Sequence, residues 1–264
     1  MNRIQAVCRR VSPYQQIMNA VDYWRVKRYP SFKHGIGKIY GQPVQFSDKV
    51  GFLYSVNEIF LQEVYKFCTD QIDPLIIDAG ANIGLSLIYF KMLYPQAKII
   101  AYEPDNSIFK LLESNVANFA LSSVELHNSA AWVANTNVTF FSEGSLAGST
   151  EVDFLGRGKA CDVRAERLKD VLSKGRVAFL KLDIEGGENK VLFDIGECLG
   201  NVDNLFFEYH SQPNTEQLLG TMLDLVKAAG FRYVINGTHA PNHPFVDRVT
   251  RGFDLQLNVS CFRL

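Results

Sequence analysis

The sequence predicts an α/β fold built on an open, largely parallel sheet, and three observations carry this expectation. Leu75-Ile76-Ile77-Asp78 is a short apolar run that breaks at Gly80 and Gly84 and continues as an apolar helix through Leu93. This strand, glycine turn and helix open a nucleotide-type site. Lys98 to Tyr102 is a second apolar run, and it ends in an acid, Glu103. Val177 to Leu182 is a third, running into Asp183, Glu185 and Glu188 around Gly186 and Gly187, and Leu205 to His210 ends in the same style. Acids at the carboxyl ends of parallel strands face the ligand crevice of such a sheet.

The elements follow in order. Tyr14, Ile17, Val21 and Trp24 recur at helical spacing, with Arg25, Lys27 and Arg28 near the end where cations suit the helix dipole. Lys38 to Phe46 reads as a hairpin turning at Gly41-Gln42. Ser55 and Glu58 have capping-box spacing, so a helix is expected to open at Ser55, with Ile59, Phe60, Val64, Tyr65 and Phe67 inward. Asp73-Pro74 is a turn before the first strand of the sheet. Asp105 or Asn106 caps a helix to about Ala120, and Val124 to His127 is the next strand. His127 reads as a half-exposed strand residue. Residues 132–164 are hard to read: Val138 to Phe141 is a strand, and Gly144 to Thr150 looks like a surface loop able to close over a site. A helix is expected from an Asn214 cap, with Gln217 third, to Gly230. The strands from Phe231 and from Leu255 follow without a helix between them, so the last should run antiparallel. Two prolines keep His239 and His243 off a regular helix, which argues for a loop over a metal pair.

Composition bounds the function. The chain has 264 residues, 47% of them hydrophobic, and a net charge of −1. That is enough for one large core plus an extension. No apolar run approaches the roughly 18 residues of a membrane span, and the N-terminus lacks the pattern of a signal peptide. The five cysteines are odd in number, scattered and free of Cys-x-x-Cys spacing, which predicts reduced thiols, a cytoplasmic address and no zinc or iron–sulfur site. Charge is uneven: residues 1–38 hold eight Lys or Arg against one acid, Asp22, while the rest holds 19 basic and 27 acidic residues. Such an arm suits an anionic partner or surface: membrane phosphate, nucleic acid or an acidic substrate. The competing reading packs its helix on the same domain or on a second copy in a homo-oligomer.

The site residues narrow the ligand. A dinucleotide site needs a second glycine where Asn82 stands, and Asp78 at the strand end would repel phosphates but suits an ammonium and a sulfonium. Glu103, 25 positions after Asp78, is placed for ribose hydroxyls, and Ser129 for an adenine ring. Asp78-x-Gly80-x-x-x-Gly84 followed by a strand ending in Glu103 resembles motif I and its acidic partner in class I S-adenosylmethionine (SAM) methyltransferases, which implies SAM held by Asp78, Gly80, Asn82, Gly84, Glu103, Ser129 and Asp183. Glu208 and His210 are two apart on a strand and share a face. His210, with an ordinary pKa near 6.5, is the expected general base, and Asp183, Glu185 and Glu208 are its catalytic neighbours. The rival is that these acids and His210 ligate a divalent metal; the expected site is metal-free.

Asp78-Ala-Gly-Ala-Asn-Ile-Gly, Tyr102-Glu-Pro, Lys181-Leu-Asp-Ile-Glu-Gly-Gly-Glu and Phe207-Glu-Tyr-His together resemble the FkbM family of class I SAM-dependent methyltransferases over about residues 55–235. Gly187 stands where the family often has Ala. The resemblance implies a Rossmann-like seven-stranded sheet of order 3-2-1-4-5-7-6, with residues 1–54 as a helical and hairpin extension to a methyltransferase domain over 55–264. It also implies O-methylation of hydroxyls on sugars, glycans or polyketides. An NAD-dependent oxidoreductase and a non-catalytic SAM-fold scaffold are the alternatives. Nucleic-acid methylation is disfavoured, because no Asn/Asp-Pro-Pro-Tyr/Phe motif is present and the body outside the arm is acidic.

Overall fold

The computed structural model describes residues 17–142, 148–149, 159–213, 215–246 and 254–264. The chain divides near Asn128 into two compact units. Its seven-stranded sheet has, in order of the strands along the chain, the predicted arrangement 3-2-1-4-5-7-6.

The first unit begins with α1 (Ala20–Lys27), capped by Asn19, whose side chain accepts from Asp22 N at 2.8 Å. Val26 is buried, but Val21 and Trp24 are 78% and 49% exposed, so the expected apolar stripe is not the packed face. The packing is done by Ile17, Met18 and Val26; Tyr14 lies outside the described residues. The hairpin is β1 (Gly35–Ile39) and β2 (Gln42–Phe46). Its turn is Tyr40-Gly41, one residue earlier than expected, because both take positive φ (51° and 80°) as a tight right-twisted hairpin requires.

The helix expected from Ser55 starts earlier. It is α2 (Lys49–Val56), capped by Asp48, and it runs on as a π-turn over Asn57–Leu61. Asp48 outcompetes Ser55 because its carboxylate accepts from both Val50 N and Gly51 N. Residue 54, taken as the end of the extension, therefore lies inside a helix.

β3 (Leu75–Ala79), β4 (Lys98–Tyr102) and β5 (Val124–His127) pair in parallel, with α3 (Leu85–Leu93) and α4 (Asn106–Asn118) between them. Ile76, Ile77 and Asp78 of β3 are fully buried, as is proper for a strand covered on both faces. α3 is buried almost all round, whereas α4 buries Ile108, Leu111, Leu112 and Asn115 along one stripe. Asp105 caps α4 by accepting from Ser107 N and Ile108 N. Each large aliphatic side chain so buried contributes about 1.5–3 kcal/mol.

The second unit contributes β10 (Phe179–Leu182), β11 (Asn204–Ser211), β12 (Arg232–His239) and β13 (Leu255–Phe262) to the main sheet. β10 and β11 are parallel, and β13 is antiparallel to β11 and β12. Between them lie α6 (Glu188–Asp194), a 3₁₀ turn over Gly196–Asn201 and α7 (Leu219–Ala228). α7 starts five residues after Asn214, which lies outside the described residues. Gln217 does not close a capping box; it donates to Ser211 Oγ and Asp254. Gly230, at φ 87°, ends the helix as expected. His239 closes β12 beside a register shift, and His243 lies in the turn beyond it.

A second sheet was not foreseen. It comprises β6 (Ala130–Trp132), β7 (Thr136–Ser142), β8 (Gly148–Ser149) and β9 (Lys159–Arg167), followed by the short α5 (Leu168–Leu172). The sequence expectation covers only β7; β9 does alternate, but its apolar positions are the small Cys161, Val163 and Ala165, which give a weak strand signal between charged Asp162, Arg164 and Glu166. Residues 144–147 and 150 of the expected closing loop lie outside the described residues. Cys68 is disulfide-bonded, while Cys161, Cys198 and Cys261 are free thiols. The expectation of uniformly reduced cysteines is thereby corrected: spacing along the chain does not report distance in space.

Candidate functional site

In the first unit the glycine turn is braced by the acid that follows β4. Asp78, next to last in β3, is fully buried and accepts a hydrogen bond from Ser86 Oγ at the start of α3. Gly80 N and Ala81 N both donate to Tyr102 O, at 3.1 and 2.8 Å, which carries the turn over the end of β4. Gly80, Asn82 and Gly84 have φ values of 89°, 48° and 86°, and a Cβ on Gly84 would meet Leu112 Cδ1 at 2.6 Å. Both glycines thus take left-handed conformations that favour glycine, and a side chain at Gly84 would also force Leu112 to shift.

Glu103 is buried, and its carboxylate is fixed from two sides: Oε2 accepts from Asn82 N at 3.0 Å and Oε1 from Asp105 N at 2.8 Å. A carboxylate held in this way is the kind of acceptor that ribose hydroxyls require. Sequence reasoning missed Asn115 of α4. It is fully buried, donates to Ile83 O and Gln45 O, and accepts from Gln45 N, so it ties the glycine turn to β2. Its polar place on the buried stripe of α4 was the available signal.

In the second unit Asp183, Glu185, Glu208 and His210 come together at the ends of β10 and β11. His210 Nε2 lies 3.3 Å from Glu185 and 3.8 Å from Glu208, and its Nδ1 lies 3.4 Å from Glu188. Gln256 of β13 reaches Glu208 at 2.6 Å and His210 at 3.2 Å. Lys181 pairs with Asp183 at 3.2 Å.

Glu188 was read only as part of the motif, yet it builds the turn. It is 2% exposed and accepts from Ile184 N and Gly186 N, both at 2.9 Å. It thereby holds Glu185 in a left-handed conformation, φ 60°, that a glutamate rarely adopts. Strain of this kind is a signature of functional turns. Ser129 is buried separately, with Oγ on Glu166 at 3.1 Å.

Charge and burial divide the protons unevenly. Burial pushes Glu185 up to about 8, with Asp183 and Glu188 adding to the rise and His210 opposing it. Burial and the nearby Asp183 push Glu208 well above the usual carboxylate range. Burial would also raise Asp183, but Lys181 and His210 outweigh it and hold this carboxylate ionised, with Glu208 as hydrogen-bond donor. For His210, burial favours the neutral ring, but Glu188, Glu185 and Glu208 outweigh it and drive the pKa well up. The expectation that His210 rests as an ordinary neutral imidazole is corrected: three carboxyl groups surround it, which composition could not show.

Residues 78–233 match the methyltransferase FkbM domain. This chain belongs to the FkbM methyltransferase family. "Methyltransferase sdnD" of Sordaria araneosa is 34% identical over 180 residues, covering 55% of this chain and 69% of that protein. "31-O-demethyl-FK506 methyltransferase FkbM" of Streptomyces tacrolimicus is 22% identical over 218 residues, covering 69% and 82%. Among solved structures, that of methyltransferase FkbM from Methylobacillus flagellatus KT aligns with a TM-score of 0.46 at 17% identity, covering 71% of this chain and 44% of that one.

As an FkbM-family protein, the chain is a SAM-dependent methyltransferase. The first-unit residues suit that cofactor. Asp78 and Glu103 are carboxylates that favour a cationic amino acid and ribose hydroxyls, and no basic side chain stands in the turn to hold a pyrophosphate.

Proposed function

We propose that this FkbM methyltransferase methylates a hydroxyl oxygen of a small-molecule, sugar, glycan or polyketide-type acceptor. The observation that carries the proposal is the pairing of His210 with Glu185, whose pKa is pushed up to about 8. A relative named for a 31-O-demethyl acceptor supports the choice of oxygen. SAM, when bound, supplies a methyl group on a sulfonium leaving group. The protein's part is to align the oxygen and to take its proton as the new bond forms. A base works best with a pKa near the operating pH, and the Glu185–His210 pair meets that condition. In this reading Glu185 accepts the proton, His210 balances its charge, and Asp183 with Glu208 orients the hydroxyl. Asp78, Gly80, Asn82, Gly84 and Glu103 hold the cofactor.

A screen of hydroxylated acceptors for labelled-methyl incorporation tests the activity. With the acceptor in hand, His210→Ala lowers turnover about 10²–10⁴-fold and leaves SAM affinity little changed. Turnover within a few-fold of wild type would reject the role. A second reading rests on the ligand atoms of Asp183, Glu185 and His210, which lie within 4.8 Å of one another. One imidazole and two carboxylates suit a divalent ion, whose Lewis acidity polarises a hydroxyl. Loss of activity with a chelator and its return with magnesium or manganese would favour that reading.

A further inference from the structure

The stretch from Ile17 to Val50 carries six cations, Arg25, Lys27, Arg28, Lys33, Lys38 and Lys49, and only two acids. Both acids are withdrawn from solvent. Asp22 is buried against Asn19 and Arg25, at 2.7 and 3.1 Å. Asp48 is buried and accepts from Phe32 N at 2.6 Å as well as from the first turn of α2. The exposed charge of this stretch is therefore all positive.

Large apolar side chains stand among these cations. Lys27 and Arg28 lie 4.9 and 5.6 Å from the Trp24 ring, and Lys49 Nζ donates to Lys27 O at 3.1 Å. Phe32 and Val50 flank the same Asp48 carboxylate and are 84% and 59% exposed. Phe32 has φ 55°, a conformation a bulky aromatic rarely takes, and the Asp48 bond holds it there.

We propose that this face, formed by Trp24, Lys27, Arg28, Phe32, Lys49 and Val50, docks on the surface of an anionic lipid bilayer. A polyanion would satisfy the cations and leave Phe32 and Val50 wet. A headgroup layer satisfies both, taking cations at its phosphates and aromatic rings at the acyl boundary. The contact is peripheral, since no described helix is long and apolar enough to cross a membrane.

Cosedimentation of the full chain with vesicles tests this. The chain should pellet with phosphatidylcholine–phosphatidylserine vesicles, not with phosphatidylcholine alone, and binding should fade with added salt. Lys27→Glu combined with Arg28→Glu should lower partitioning about tenfold or more. Phe32→Asn, which suits a left-handed backbone and so preserves the fold, should lower it about five- to tenfold; if its circular dichroism is not that of wild type, Trp24→Ser gives the same readout. Absence of vesicle binding, equal binding to neutral vesicles, or wild-type binding by the folded Phe32→Asn protein would overturn the proposal. Binding of single-stranded RNA without vesicle association would assign the face to nucleic acid. Conversion of a dimer to a monomer by Phe32→Asn, again without vesicle association, would assign it to a second copy of the chain.

Discussion

Glu185 and His210 set the pH behaviour of the site. The folded pKa of Glu185 is raised from 4.5 to about 8, so its protonated form stabilises the fold below about pH 4.5, and that contribution is lost as pH rises through about 8. His210 has the same sign: its contribution is complete below 6.5 and is lost as pH climbs through the raised value. Asp183 has the opposite sign, stabilising above 3.8 and failing on acidification. Glu185→Gln mimics the protonated acid. Urea denaturation at a series of pH values should show this variant gaining stability over wild type between about pH 4.5 and 8. Its turnover should be low and should lose any limb rising toward pH 8. Because the groups titrate together, the apparent pKa belongs to the cluster. A pH–stability difference that stays flat across this window would show that Glu185 is not held protonated in the fold.

At the scale of elements, two turns hold the chemistry, and each is fixed by a carboxylate bonding backbone amides: Glu103 for the glycine turn and Glu188 for the turn after β10. Glu188→Ala leaves two backbone donors without their acceptor, at a cost of about 1–3 kcal/mol each where they stay buried. It should also free Glu185 from its left-handed geometry, so turnover should fall by more than the loss of folded protein explains. Parallel measurement of stability and of activity per folded molecule checks this; equal losses in both would reduce Glu188 to a structural role. These turns were legible because glycines and acids at strand ends have few other uses. The start of α2 was not, because Ser55–Glu58 and Asp48 are both valid caps by spacing; Asp48 caps the helix through Val50 N and Gly51 N and is further fixed by accepting from Phe32 N, 16 residues away. β9 was missed because the apolar half of its alternation, Cys161, Val163 and Ala165, is small and gives a weak strand signal, and the raised pKa of His210 because carboxyl groups from separate segments surround it only after folding.

On the scale of the whole molecule, the parallel strands were legible as apolar runs separated by helices, while their order 3-2-1-4-5-7-6 followed from the resemblance to the FkbM family and is the order observed. The charge asymmetry was legible too, but its meaning changed once Asp22 and Asp48 proved buried and Val21 and Trp24 proved exposed. The acceptor is set by side chains of the site and not by the fold, so class and sheet order do not name it. The central claim, that the glycine turn and Glu103 form the cofactor site of a methyltransferase, is tested most directly by calorimetric titration with SAM and with NAD. Glu103→Gln keeps the shape and removes the charge, and a charge-assisted hydrogen bond contributes roughly 1.5–3 kcal/mol. The account predicts that SAM binds the wild type, that NAD does not, and that folded Glu103→Gln binds SAM about tenfold to a hundredfold more weakly. Binding of NAD in place of SAM, or unchanged SAM affinity in a folded Glu103→Gln protein, would contradict it.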